Sequence, residues 1–104
     1  MHSPAKGNFM IKGTLTHINT RTKTEKIKVP NTVNAGDIIH AIAKSIRNFD
    51  YDGCTDRDTF EIVLENGLFF YCEQLNSYCP KYRLYVEELD EYGGSYVWIA
   101  DFIL

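Results

Sequence analysis

Apolar and polar residues alternate with a period of two near the start of the chain. Phe9, Ile11, Gly13 and Leu15 fall on one side, and Met10, Lys12, Thr14 and Thr16 on the other. This is the pattern of a half-buried strand. A polar, turn-like stretch over 20–24 follows, and Glu25-Lys26-Ile27-Lys28-Val29 alternates again before Pro30 ends it. Residues 9–29 are therefore expected to form a hairpin, rich in strand-forming threonine. The period then changes. Ile38, Ile39, Ile42, Ile46 and Phe49 recur at helical spacing, with His40, Lys44 and Arg47 opposite, which predicts an amphipathic helix over 35–49. Asn34 is placed to cap it, Asp37 to complete a capping-box-like pair, and Val33 with Ile38 to form a hydrophobic staple. Lys44 and Arg47 suit the negative end of the helix dipole.

Beyond an acidic loop over 50–58, residues 60–65 read as a strand, Asn66-Gly67 as a two-residue hairpin turn and 68–72 as the returning strand. After a loop over 73–80, residues 82–88 read as a strand, 92–95 as a turn and 96–104 as the closing strand. The order ββαββββ predicts an α+β fold, a single helix packed on a mainly antiparallel sheet. Its opening hairpin followed by a helix resembles ubiquitin-like grasp folds in shape. The closing strand is apolar on both faces and is expected to lie centrally, covered on both sides. The rival placement is a sheet edge that pairs with a second copy to make a homodimer.

A length of 104 residues with 44% apolar content fits one domain over 9–104. Residues 1–8 are polar and read as a disordered leader, with Met10 a candidate natural start. No run approaches the roughly 18–20 apolar residues a membrane helix needs. The three cysteines, Cys54, Cys72 and Cys79, are odd in number and follow no apolar signal segment. They point to a reducing, cytoplasmic setting.

Charge changes the picture more than composition does. The formal net charge is −3. Residues 1–48 carry eight basic and two acidic side chains, a balance of +6, and residues 49–104 carry three basic and twelve acidic, a balance of −9. At this length the fold is expected to interleave the two halves and cancel part of the charge across paired strands. What is left over would steer a charged partner.

Few residues have the spacing of a chemical site. Asp50, Asp52, Asp58 and Glu61 fall at positions 1, 3, 9 and 12 of an EF-hand-like window over 50–61. Cys54 stands where an oxygen ligand is needed and Thr55 where the turn needs glycine, so the favoured reading is a solvated loop, with a degenerate calcium site as its rival. Cys72 and Cys79 are too far apart for a zinc knuckle. Cys72 is expected to pack as a small apolar side chain and His17 and His40 to be exposed. No nucleophile–base pair or phosphate-binding glycine loop stands out, so no enzyme activity and no cofactor are expected. Lys12, Arg21, Lys23, Lys26, Lys28, Lys44 and Arg47 could meet phosphates, but a pI near 5.5 argues against direct nucleic-acid binding.

The acidic half is more suggestive. Glu87, Glu88, Asp90 and Glu91 form a dense run, flanked by Tyr85 and Tyr92, with Tyr96 and Trp98 close by; all seven tyrosines lie in the second half. Carboxylates can stand in for phosphates, and tyrosines supply contact area at low entropic cost. The expected site is therefore Tyr85, Glu87, Glu88, Asp90, Glu91 and Tyr92, and the expected partner is a protein with a basic, nucleic-acid-binding groove. A small acidic domain without catalytic motifs is similar in profile to phage or mobile-element inhibitors, such as anti-restriction and anti-CRISPR proteins. That resemblance implies a cytoplasmic, non-enzymatic inhibitor. The alternatives are a structural or adaptor module that pairs through its C-terminal strand, and an ion-binding domain built on 50–61.

Overall fold

The computed structural model describes residues 9–18, 23–32, 34–49, 58–76 and 81–104. The leader at 1–8, Arg21, Val33 of the staple, Asp50, Asp52, Cys54 and Cys79 lie outside the described residues.

Strands β1 (Met10–His17) and β2 (Thr24–Pro30) form the expected hairpin, and helix α1 (Ala35–Arg47) follows. Strands β3 (Thr59–Leu64), β4 (Phe69–Gln74), β5 (Lys81–Asp90) and β6 (Gly93–Ile103) complete the order ββαββββ. All six strands join one sheet, ordered β2-β1-β3-β4-β5-β6, with antiparallel pairing throughout. The chain is thus an α+β fold with one helix on an antiparallel sheet. The likeness to grasp folds rests on the hairpin–helix opening alone.

Helix α1 starts where Asn34 Oδ1 accepts the Gly36 N–H at 2.9 Å, with Asp37 in the first turn and Lys44 and Arg47 in the last. Its Ile42, Ala43 and Ile46, followed by Phe49, are buried against one face of the sheet. Thirteen residues span about 20 Å, close to the about 24 Å of five strand spacings. The helix accordingly comes within 8 Å, Cα to Cα, of both outermost strands, β2 and β6. Leu15, Ile27, Phe60, Ile62, Phe70, Cys72, Tyr82 and Leu84 fill the strand side of this core. Each large apolar side chain buried here contributes about 1.5–3 kcal/mol of transfer free energy. Among the described residues the opposite face of the sheet carries no helix.

Four expectations change. First, the β3–β4 hairpin loop, closed by a Leu64–Leu68 hydrogen bond, holds three residues, 65–67, not two. Gly67 N donates to Leu64 O at 3.0 Å and Leu64 N to Leu68 O at 2.9 Å, and Gly67 sits at φ +96°. This is the glycine-bulge form of hairpin loop. Second, the last turn falls at Glu91-Tyr92, with Asp90 opposite Gly93, so Gly93 and Gly94 open β6 instead of making the turn. The Asp90 carboxylate closes the turn by accepting the Tyr92 N–H at 2.8 Å.

Third, β6 is an edge strand, not a central one. Its two apolar faces are explained otherwise: Phe102 and Ile99 pack on the core, while Val97, Trp98 and Ile103 are exposed. Fourth, His17 is buried, whereas His40 is exposed as expected. His17 continues the inward alternation of β1. Its ring lies 5.0 Å from that of Phe60 and 6.1 Å from that of Phe49, and Nε2 donates to Asp58 Oδ1 at 3.1 Å. Asp58 is tied to Gln74 through the backbone, Gln74 N to Asp58 O at 2.8 Å and Asp58 N to Gln74 Oε1 at 3.1 Å.

The sheet order also overturns the expected interleaving of charge. The basic hairpin forms one side of the sheet and the acidic hairpin the other, because strands that are neighbours in sequence are largely neighbours in space. Among the described residues, 9–49 carry six basic and two acidic side chains, and 58–104 carry two basic and nine acidic.

Candidate functional site

Alternation along each strand decides which side chains reach the helix-free face. On β1 and β2 they are Lys12, Thr14, Lys26 and Lys28; on β3, Glu61 and Val63; on β4, Phe69, Tyr71 and Glu73. On β5 they are Arg83, Tyr85, Glu87 and Leu89, and on β6 Tyr96, Trp98 and Asp101. The register sets them side by side. Glu61 lies opposite Tyr71, Tyr71 opposite Tyr85, Tyr85 opposite Trp98, and Glu87 opposite Tyr96.

The result is a continuous aromatic array across three strands. The Tyr71 and Tyr96 rings are 5.2 Å apart, Tyr71 and Tyr85 6.0 Å, Phe69 and Tyr96 6.3 Å, and Tyr85 and Tyr96 6.4 Å. These separations suit tilted and edge-to-face contacts. Carboxylates border the rings. Tyr85 Oη donates to Glu73 Oε1 at 3.3 Å. Burial and the nearby Glu73 raise the Tyr71 phenol above its ordinary pKa, and burial with Glu87 and Glu61 does the same for Tyr96. The array stays open to solvent, with Tyr96 49% and Trp98 57% exposed.

One end of the face is locked by a clasp. Arg83 Nε and Nη2 donate to the two carboxylate oxygens of Asp101 at 2.9 and 3.2 Å. The Trp98 indole N–H donates to Asp101 Oδ1 at 3.1 Å, and the Arg83 guanidinium lies 5.8 Å from the Trp98 ring centroid. Hydrogen bonding from Arg83 is the main reason that the Asp101 carboxyl is held down to about 2. The same pairing raises the Arg83 guanidinium further above its ordinary value. A β-bulge between Leu84 and Tyr85 accommodates the extra residue of β6 beside this clasp.

The expected site residues divide. Tyr85 and Glu87 are on the open face. Glu88 and Asp90 lie on the opposite side of β5 by alternation, and Glu91 and Tyr92 form the turn, Tyr92 90% exposed. Glu61, Phe69, Tyr71, Glu73 and Tyr96 join Tyr85 and Glu87 instead. Period-two spacing of Phe69, Tyr71 and Glu73 was the available signal, but their neighbours depend on register.

The two described members of the calcium window are not brought together. Asp58 is buried beside His17, while Glu61 is on the open face; Asp50 and Asp52 lie outside the described residues. Among the described residues no group of three or more His, Cys, Asp or Glu could hold a metal ion. Cys72 packs as a buried small side chain, and burial pushes its thiol pKa up, which opposes nucleophilic chemistry.

Lys12, Lys26 and Lys28 border a shallow groove over β1, β2 and the end of β3, so the open face runs from a basic side to an acidic and aromatic side. Among the described residues no helix is long and apolar enough to cross a membrane. Comparison with protein-family models, curated proteins and solved structures finds no match.

Proposed function

We propose that the protein is a cytoplasmic, non-enzymatic inhibitor whose open face on β3–β6 occupies the basic groove in which a partner protein holds nucleic acid. This is the mode of action that the phage and mobile-element inhibitor profile implies. One observation carries the reading: Tyr71, Tyr85 and Tyr96 form a contiguous array, Tyr96 exposed and Tyr71 and Tyr85 half-buried, bordered by Glu61, Glu73 and Glu87. The carboxylates would meet lysine and arginine side chains that otherwise bind phosphates. The tyrosines supply rigid contact area where bases would stack. The same carboxylates repel phosphate, which favours a protein over a nucleic acid as occupant of this face.

The test is capture from nuclease-treated lysate with three forms of the chain. The first is unaltered, the second carries Glu61→Lys with Glu87→Lys on the open face, and the third carries Glu88→Lys with Glu91→Lys near the turn. The unaltered chain is expected to retain a nucleic-acid-binding protein that high salt releases and to displace nucleic acid from it once both are purified. The open-face variant is expected to lose that protein and the turn variant to keep it. Retention by the open-face variant, or a captured protein that keeps its nucleic acid in the presence of the chain, rejects the reading.

A further inference from the structure

Among the described residues the sheet ends in two edge strands, β2 and β6, and they are built differently. On β2, Lys26, Lys28 and Glu25 interrupt the strand and Pro30 ends it. Charges and proline are the features that keep an edge strand from pairing with another chain. On β6 the eight residues from Gly93 to Ala100 carry neither a charge nor a proline. Its one charged residue, Asp101, is bound by Arg83 and Trp98. The strand is long, at eleven residues, and Val97, Trp98 and Ile103 are 40%, 57% and 68% exposed.

From this contrast we infer that β6 pairs antiparallel with β6 of a second copy, joining the two sheets edge to edge. The charge pattern selects a second copy over another partner. An isologous pair brings each strand against itself, so any fixed charge near the axis would meet its own like; β6 has none there. The strongly acidic turn at Asp90–Glu91 sits at one end of the hairpin. Antiparallel pairing sends the two turns to opposite ends of a strand about 37 Å long, several screening lengths apart at physiological salt. The basic β2 edges remain at the outer limits of the joined sheet. An acidic or basic foreign strand gains nothing from an uncharged one.

The pairing also has a consequence for the open face. A two-fold axis normal to the sheet keeps both helices on one side and both aromatic arrays on the other. Tyr96 and Trp98 of the two copies then flank the junction, and the two arrays become one surface. The inference does not depend on what that surface binds.

Sedimentation equilibrium from micromolar to submillimolar chain tests it, with Val97→Lys as the edge-blocking variant and Val97→Thr as control. The expected result is a species of twice the 12.0 kDa chain mass for the unaltered protein and Val97→Thr. Val97→Lys should be a monomer over the whole range with its far-ultraviolet circular dichroism retained. A monomeric unaltered chain overturns the inference, and so does a dimer that Val97→Lys preserves. Should Val97→Lys unfold, amide exchange on the unaltered chain decides. Protection over 93–103 that rises with concentration supports the pairing, and protection independent of concentration overturns it. If the unaltered chain is monomeric and removal of residues 1–8 makes it dimerise, the edge belongs to the chain's own N-terminal segment and the inference also fails.

Discussion

His17 and Asp58 show how a polar pair can serve a core. Both are buried, and each continues a strand position that points at the helix. The Asp58 carboxylate accepts from the ring while its backbone holds Gln74 on β4, so one residue fastens β1, β3 and β4 together. Removing the carboxylate leaves a buried imidazole donor to be desolvated. Asp58→Ala is expected to destabilise the fold by about 1–3 kcal/mol, read as a lower urea midpoint with an unchanged slope. A midpoint equal to that of the unaltered chain would show that the pair contributes nothing net. Histidine identity concealed this role in the sequence, since alternation marks apolar residues and His17 counts as polar. By contrast, the burial of Cys72 was legible from the apolar run around it.

At the level of elements, helix α1 was legible because its signals are local: a cap, a first-turn acid, a 3.6-residue stripe. The turns were less so. A two-residue turn at Asn66-Gly67 would set Leu64 opposite Phe69, whereas the three-residue loop sets Val63 there. A shift of one residue exchanges the faces of a strand, so the aromatic array could not be assembled from spacing alone. The position of β6 was hidden for a related reason, because a doubly apolar strand reads alike whether it lies centrally or at an edge. The β5–β6 clasp carries a prediction of its own. The hydrogen bond from Arg83 holds the Asp101 carboxyl down to about 2 in the fold, against about 3.9 in an unfolded chain. Its folded-state pKa is the lower, so its contribution is whole above about pH 4 and fades as pH falls through about 2. The melting temperature of Asp101→Asn is therefore expected to lie below that of the unaltered chain at neutral pH and to converge on it between pH 4 and 2. A gap that persists at pH 2 would assign the effect to something other than the charge.

Over the whole molecule, the charge imbalance between halves was plain in the sequence, but its spatial separation was not. It follows from a strand order that departs from sequence order only at the first hairpin. One cost is visible on the basic side, where Lys12 stands directly opposite Lys28 on the open face. Like charges at such a pair repel, by about 0.2–1 kcal/mol. Lys28→Glu is expected to raise stability by that amount in low salt, and the gain should shrink at high salt. Guanidinium cannot be the denaturant for this comparison because it is itself a salt; urea midpoints at two ionic strengths would serve. No gain at low salt would mean that the two ammonium groups avoid one another.

The same strand order sets a timetable for synthesis. Every pairing but one joins strands consecutive along the chain; β1 with β3 alone reaches past the helix. Contacts of this kind close short loops first and lower the entropic barrier to assembly. The growing sheet can add its strands nearly in the order in which the ribosome delivers them, each new one seated on the one before. β6 then arrives last of the described strands. Until it does, β5 is the terminal strand of the nascent sheet, its Tyr85 and Glu87 presented without Trp98 and Tyr96 beside them. The aromatic face is complete only once β6 has been added.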